Sequence, residues 1–192
     1  ERHIKNMKRF GMNVVVAINK FPTDAEEDIN RVVELCKEYG VACETSTAFS
    51  DGPKGATNLA KAVLASMQTS TIQYAYDLKE DVKTKIEKIT KYIYGASSVS
   101  YSPEAEAKLK KIENNNQYVC IAKTQYSFSH DSKMLGAPSG YVFEVSDIIE
   151  KTGSNFIVVL AGKMLLMPGL PKVPNAEKMT IDENTLEVTG LM

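Results

Sequence analysis

The stretch NVVVAINKFPTD, residues 13–24, decides the fold. Val14 to Ile18 form an unbroken apolar run, which predicts a strand buried on both faces in a parallel sheet. Asn19-Lys20 then closes the strand, as the first half of an Asn-Lys-x-Asp guanine-reading element would. The position that should carry the base-reading carboxylate is Pro22, and no G-x-x-x-x-G-K-[ST] phosphate loop occurs in the 192 residues. The glycines of DGPKG and LGAPSG lack a following Lys-Ser/Thr and read as turns. Guanine-nucleotide binding is therefore set aside.

Outward from this strand the pattern is α/β. Ahead of it, Ile4, Met7 and Phe10 fall at helical spacing and Gly11 follows as a stop, so the sequence opens on a helix already under way and reads as cut from a longer chain. After it, Thr23 and Glu26 fit a capping box. Ile29, Val32, Val33 and Cys36 then recur on one helical stripe until Gly40. Val41 to Thr45 gives the next strand, parallel to the first. The loop AFSDGPKGATN leads to a helix with Leu59, Ala62, Val63 and Met67 on one face.

The pattern lapses between Gln68 and Asp77, which places a boundary there. Residues 1–76 read as the end of a P-loop-type, doubly wound parallel-sheet domain, and 77–192 as a smaller carboxyl-terminal α/β domain. In the second unit Val82, Ile86, Ile89 and Ile93 mark a helix stopping near Gly95. Ser102 and Pro103 cap a short helix carrying Ala105, Leu109 and Ile112. YVCIA (118–122), YVFEV (141–145), FIVVLAG (156–162) and MLLM (164–167) read as strands, DIIEKTG as one or two helical turns, and the proline-rich PGLPKVPNAEKM as extended chain without regular structure.

Composition narrows the function. A 43% hydrophobic chain of this length buries roughly 70% of its unfolded surface, as a globular protein does. A net charge of -1 with interspersed signs offers nucleic acid no basic face and a membrane no polybasic patch, and no apolar run is long enough to span one. Cys36, Cys43 and Cys120 lack C-x-x-C spacing and read as reduced thiols of the cytoplasm. His3 and His130, far apart, argue against His-rich metal sites and read as surface residues. Lys123, Thr124, Gln125 and Tyr126 could face a site or a subunit contact but read as loop, Lys172 could bind an anion but reads as a solvated lysine, and Met164, Leu166 and Met167 read as core.

Small molecules and protein are the partners that remain. Ligands in open parallel sheets bind at the carboxyl edge, where Phe21 follows the first strand and Phe49 the second. Strands about 4.8 Å apart can carry two rings roughly 7 Å apart, the gap a stacked planar heterocycle needs. The competing reading is that both rings cap the core beneath the loops. Pro22 stiffens the loop in either case, and Thr45 is a candidate pocket wall.

These residues resemble formate–tetrahydrofolate ligases along the whole chain, through HIKNMKRFG, VVVAINKFPTD, YGASSVSYSPEA, AKTQYSFSHD, LGAPSGYVFEV and MPGLPKVPNAEKMTID in order. The resemblance implies a two-step ligation. ATP phosphorylates formate to formyl phosphate, which the N10 amine of tetrahydrofolate attacks to give 10-formyltetrahydrofolate, ADP and phosphate. It implies magnesium with the ATP, a supporting monovalent cation, a homo-oligomer, and a remaining chain portion that supplies the P-loop. It maps the folate-stacking aromatic-Pro pair onto Phe21 and Pro22, and the second ring onto Phe49, where many members carry Trp. Without a P-loop this chain is expected to be inactive alone. A non-catalytic interaction or folate-binding domain that keeps the ligase fold is the alternative.

Overall fold

A computed structural model describes residues 1–162, 164 and 172–190. The first elements are α1 (Arg2–Arg9), β1 (Val15–Asn19), α2 (Glu26–Glu38), β2 (Ala42–Ser46), α3 (Ala48–Asp51), a 3-10 segment (Gly52–Ala56) and α4 (Thr57–Ser66). β1 and β2 pair in parallel, Val15 with Ala42 through Asn19 with Ser46. The two helix stops expected at glycine are formed by backbone chemistry. Gly40 takes φ 61°, its N–H reaches the Lys37 carbonyl and the Val41 N–H reaches that of Cys36, at 2.9 and 3.1 Å. That double bond is the Schellman closure, which favours a residue without a Cβ.

Three details depart from expectation. The Thr23/Glu26 capping box does not form: Ala25 is the N-cap without a side-chain bond, and Glu26 pairs instead with Lys20. β1 is not buried on both faces, since Ala17 and Asn19 are exposed in a sheet of only two strands. For the same reason Val63 on α4 and Met67 at its C-cap stay exposed while Leu59 and Ala62 are partly covered.

The second sheet has the order β3-β5-β6-β4, formed by β3 (Ser98–Tyr101), β4 (Tyr118–Ala122), β5 (Val142–Lys151) and β6 (Phe156–Ala161). The outer pairs are parallel and the central β5–β6 pair is antiparallel. Phe143, Val145 and Ile148 of β5 and Ile157, Val159 and Ala161 of β6 form the core, with Val82 and Ile86 of α5 (Val82–Lys88) and Ala105 of α6 (Pro103–Leu109) packed on it. Ser102 caps α6 as expected, its hydroxyl accepting from the Ala105 N–H at 3.0 Å. β3 escapes the sequence because three of the residues around it, Ser97, Ser98 and Ser100, carry no strand signal.

Of DIIEKTG only Thr152 and Gly153 are helical, in a 3-10 turn (Thr152–Ser154). β5 continues through the rest of the stretch to Lys151, with a register shift between Val145 and Asp147. The bulge inserts Ser146 and breaks the period-2 alternation, so Val145 and Ile148 face the core three residues apart, a spacing that imitates a helix. A second irregularity follows α5, which continues as a π-helical turn, Ile89–Tyr94. The wider turn brings Thr90 rather than Ile89 into the interior, where its hydroxyl donates to the Ile86 carbonyl at 2.8 Å. The expected strand at 164–167 lies outside the described residues apart from Met164, which is not in a strand. Beyond Pro174 the tail is not structureless: a 3-10 turn (Asn175–Glu177) precedes a small ribbon of β7 (Thr180–Ile181) and β8 (Val188–Thr189).

Lys85 is among the largest fully buried side chains of the described residues. Its ammonium donates to the carbonyls of Asn115 and Gln117 and lies 5.6 Å from the Tyr76 ring centre. Burial lowers its pKa.

Phe143, fully buried at the centre of the sheet, sets a measurable dependence: Phe143→Ala should lower unfolding free energy by about 3–5 kcal/mol in a denaturant titration. A loss below about 1 kcal/mol would contradict the assigned core. At the start of α5 the Asp81 carboxylate accepts from the Thr84 hydroxyl and N–H, which holds its pKa below the usual value. A depressed carboxylate stabilises the fold above its unfolded pKa, and this is lost as pH falls through the folded value. The stability gap between the protein and Asp81→Asn should therefore shrink from about pH 6 to about pH 3; a gap that widens on acidification would refute the assignment.

Candidate functional site

The parallel register ends β1 and β2 at one level, and the Lys20 N–H extends the ladder by donating to the Ser46 carbonyl at 2.9 Å. The chain leaves both strands on the same edge. Phe21 follows directly, and its N–H donates to the Asp24 carboxylate at 2.8 Å while the Asp24 N–H returns to the Phe21 carbonyl at 3.1 Å. Pro22 fixes φ inside this closed turn. The aromatic residue is thus held by its backbone rather than by burial of its ring.

Phe49 rises from α3 beside it. The two ring centres are 6.3 Å apart and inclined at 52°. Phe21 is 44% and Phe49 85% exposed, so within this chain neither ring is buried beneath the loops. The loop under Phe49 is braced by Thr47, whose hydroxyl donates to Asp51 at 2.7 Å and whose N–H donates to the Gly55 carbonyl at 3.1 Å. A Cβ on Gly55 would meet the Thr47 backbone at 2.5 Å, so this approach requires glycine.

A cavity of about 550 Å³ opens on the same loops, lined by Thr45, Thr47, Asp51, Lys54, Gly55 and Asn58. Thr45 is therefore placed at a cavity wall. The cavity lining combines threonine, aspartate, lysine and asparagine side chains, and Thr45 and Thr47 lie in or next to β2, after which Phe49 follows. Such a set fits a ligand with a flat apolar face and a polar edge. The roles of Asp24, Asp51, Lys54 and Asn58 were missed in the sequence. Only the Asx-turn character of FPTD could have signalled the first.

Other conspicuous residues lie away from this set. The Lys123 ammonium is half-buried over the rings of Tyr94 and Phe128, at 5.2 and 5.7 Å, and donates to the Thr124 and Ser127 carbonyls. Burial lowers its pKa. Gln125 and Tyr126 are exposed, whereas Thr124 is buried, so the run is not uniformly surface loop. His130 is also less superficial than expected: its ring packs edge-on to Phe143 at 5.7 Å and its Nδ1 accepts from the Glu144 N–H at 3.3 Å. Cys36, Cys43 and Cys120 are free thiols, and burial beside Cys36 pushes Cys43 up to about 11. Lys172 is exposed. No helix among the described residues is long and apolar enough to cross a membrane.

Comparison with known proteins gives these residues a context. The sequence model of a family described as formate–tetrahydrofolate ligase matches residues 1–192. The chain is 50% identical over 185 residues to a formate–tetrahydrofolate ligase of Campylobacter concisus, covering 94% of this chain and 34% of that protein. It is 42% identical over 192 residues to the ligase of Thermoplasma acidophilum, covering 99% and 36%. A third ligase, from Parabacteroides distasonis, is 42% identical over 193 residues, covering 97% and 35%. The chain spans about a third of the length of the curated relatives it matches.

Asp24→Ala should release the Phe21 N–H and speed its hydrogen exchange about tenfold, the effect of losing one charge-assisted bond. Unchanged exchange at Phe21 would remove Asp24 from the support of the ring.

Proposed function

The chain belongs to the formate–tetrahydrofolate ligase family, and we propose that it is the portion of such a ligase that supplies the pterin-stacking wall of the folate pocket. The whole protein then joins formate to tetrahydrofolate at the expense of ATP in one-carbon metabolism. Formate attacks the γ-phosphorus of ATP and releases ADP. The N10 amine then attacks the formyl carbon of formyl phosphate, expelling phosphate and leaving 10-formyltetrahydrofolate. Residues 1–76 are read as the end of a P-loop-type doubly wound domain and 77–192 as the smaller domain. The three free cysteines accord with a cytoplasmic location, and the remaining ligase chain and further copies are the proposed protein partners.

One observation carries this reading: Phe21 and Phe49 stand 6.3 Å apart, both exposed, at the carboxyl edge of a parallel strand pair. A pterin slotted between them requires nearly parallel faces roughly 7 Å apart. Phe21 is backed by the Asp24 turn, so closing the 52° inclination falls mainly to the more exposed Phe49. Thr45, Asp51 and Asn58 in the adjoining cavity would meet the polar edge of the heterocycle. Pro22 holds the loop that carries Phe21.

Phosphoryl transfer depends on positioning and on charge stabilisation by a phosphate loop. This chain has no such motif, and we assign it no catalytic residue. Among the described residues no group of three or more His, Cys, Asp or Glu is placed to hold a metal ion, and the magnesium that accompanies ATP and the supporting monovalent cation are read as belonging to the whole ligase.

Tetrahydrofolate titrated into the chain should bind, and Phe21→Ala and Phe49→Ala should each weaken binding by roughly tenfold, the worth of one stacked ring. Equal affinity in all three proteins, or none in any, would sink the clamp and favour a non-catalytic interaction domain. With ATP and formate the same chain should form no 10-formyltetrahydrofolate.

A further inference from the structure

A second cleft lies away from the aromatic pair. It has a volume of about 490 Å³ and runs along one face of α1, which contributes Arg2, Lys5 and Arg9, with Lys91 and Ser139 across from them. Positions 2, 5 and 9 fall within one narrow sector of a helix, so the three cations form a stripe about 10 Å long. The cleft is strongly cationic in a chain whose net charge is -1. Its one acidic residue, Glu1, is engaged with Lys5. Arg2, Arg9 and Lys91 have no carboxylate partner among the described residues.

The arginines are held in place by other means. Arg2 donates to the Ser139 hydroxyl at 2.9 Å and to the Pro138 carbonyl at 3.4 Å, and its guanidinium lies 5.8 Å from the Phe128 ring centre. Any Cβ on Gly95 would collide with that guanidinium, so the glycine leaves it room in the cleft. Arg9 donates to the Tyr92 carbonyl and stacks on the Tyr92 ring at 5.4 Å. A guanidinium has five N–H donors, so both retain free ones. The helix dipole explains Arg9 in the last turn but opposes Arg2 in the first, which makes a tertiary reason for the stripe necessary.

We propose that this cleft is a binding site for an elongated polyanion, several phosphate or carboxylate groups in series. Guanidinium forks match both groups, and a cationic stripe about 10 Å long spans more than one of them. A single tetrahedral anion would meet only part of the stripe. The site is independent of the folate reading, because it shares no residue with the aromatic pair or its cavity.

Calorimetric titration of the chain with tripolyphosphate, tri-glutamate and inorganic phosphate tests this. At least one of the first two should bind more than about tenfold tighter than inorganic phosphate, and the tighter one identifies the ligand group. Lys91→Gln changes an exposed side chain whose ammonium lies 5.9 Å from the Tyr92 ring centre and has no carboxylate partner among the described residues, and it should weaken that binding about tenfold; adding Arg9→Gln should weaken it further. Lys111→Gln, an exposed cation outside the cleft, should leave it unchanged. Binding no tighter than inorganic phosphate, or equal losses in Lys91→Gln and Lys111→Gln, would overturn the site. Since tetrahydrofolate binding is read in a separate titration, either proposal can fail alone.

Discussion

The parallel ladder between β1 and β2 is the constraint on which the candidate site depends. Because Asn19 faces Ser46 in register, two loops far apart in sequence start from the same height. A slip of one residue would turn Phe21 and Phe49 toward different faces and destroy their pairing. The ladder does not close at the strand ends: the Lys20 bond to Ser46 carries it into the loop, and the Asp24 turn then holds the next N–H. Ring placement is therefore inherited from backbone hydrogen bonds. That allows the rings themselves to stay exposed.

The second sheet solves a different problem. Its central strands β5 and β6 are antiparallel, while each outer strand is parallel to its neighbour, so the order needs both a tight connection and two crossovers. The tight connection is the 3-10 turn Thr152–Ser154, completed by Asn155 at φ 57°, a left-handed position that asparagine tolerates. The crossover from β3 packs α6 onto β5. There Lys108 bridges to Asp147 at 2.6 Å, and the Ser102 hydroxyl donates to the Ser146 carbonyl at 2.8 Å. Both contacts fall on the bulge. The irregularity is therefore tied down from the helix side, which explains how a bulge persists in the middle of a core strand.

Legibility in the sequence followed the length over which one periodicity persists. β1, α2, β2, α4 and α6 carry clean patterns with glycine, serine or proline punctuation, and their positions were recovered. β5 beyond Val145 was lost because one inserted serine changed its period, and the second half of the α5 segment was misphased because a π turn changed it again. Thr23 and Glu26 satisfied a capping pattern, yet Glu26 is drawn to Lys20 and the cap is left to Ala25. Phe21, Pro22, Phe49 and Thr45 were visible as candidates because strand ends can be located. Asp51, Lys54 and Asn58 were not, since the 3-10 segment that folds them toward Thr45 has no periodic signal.

The inclination of the two aromatic rings bears on what the site can do. At 6.3 Å and 52° they contact one another and leave no parallel slot, so a flat ligand must displace that contact to enter. An aromatic pair of this kind is worth about 0.5–1.5 kcal/mol beyond its buried area, which two stacked faces on a heterocycle can replace. Phenylalanine has only two side-chain torsions, so its reorientation is inexpensive compared with ordering a long polar chain. The backbone beneath each ring is already fixed, by Asp24 on one side and by the Thr47–Gly55 approach on the other. On the proposed folate reading, opening is then a rotation of side chains above a backbone already held by hydrogen bonds.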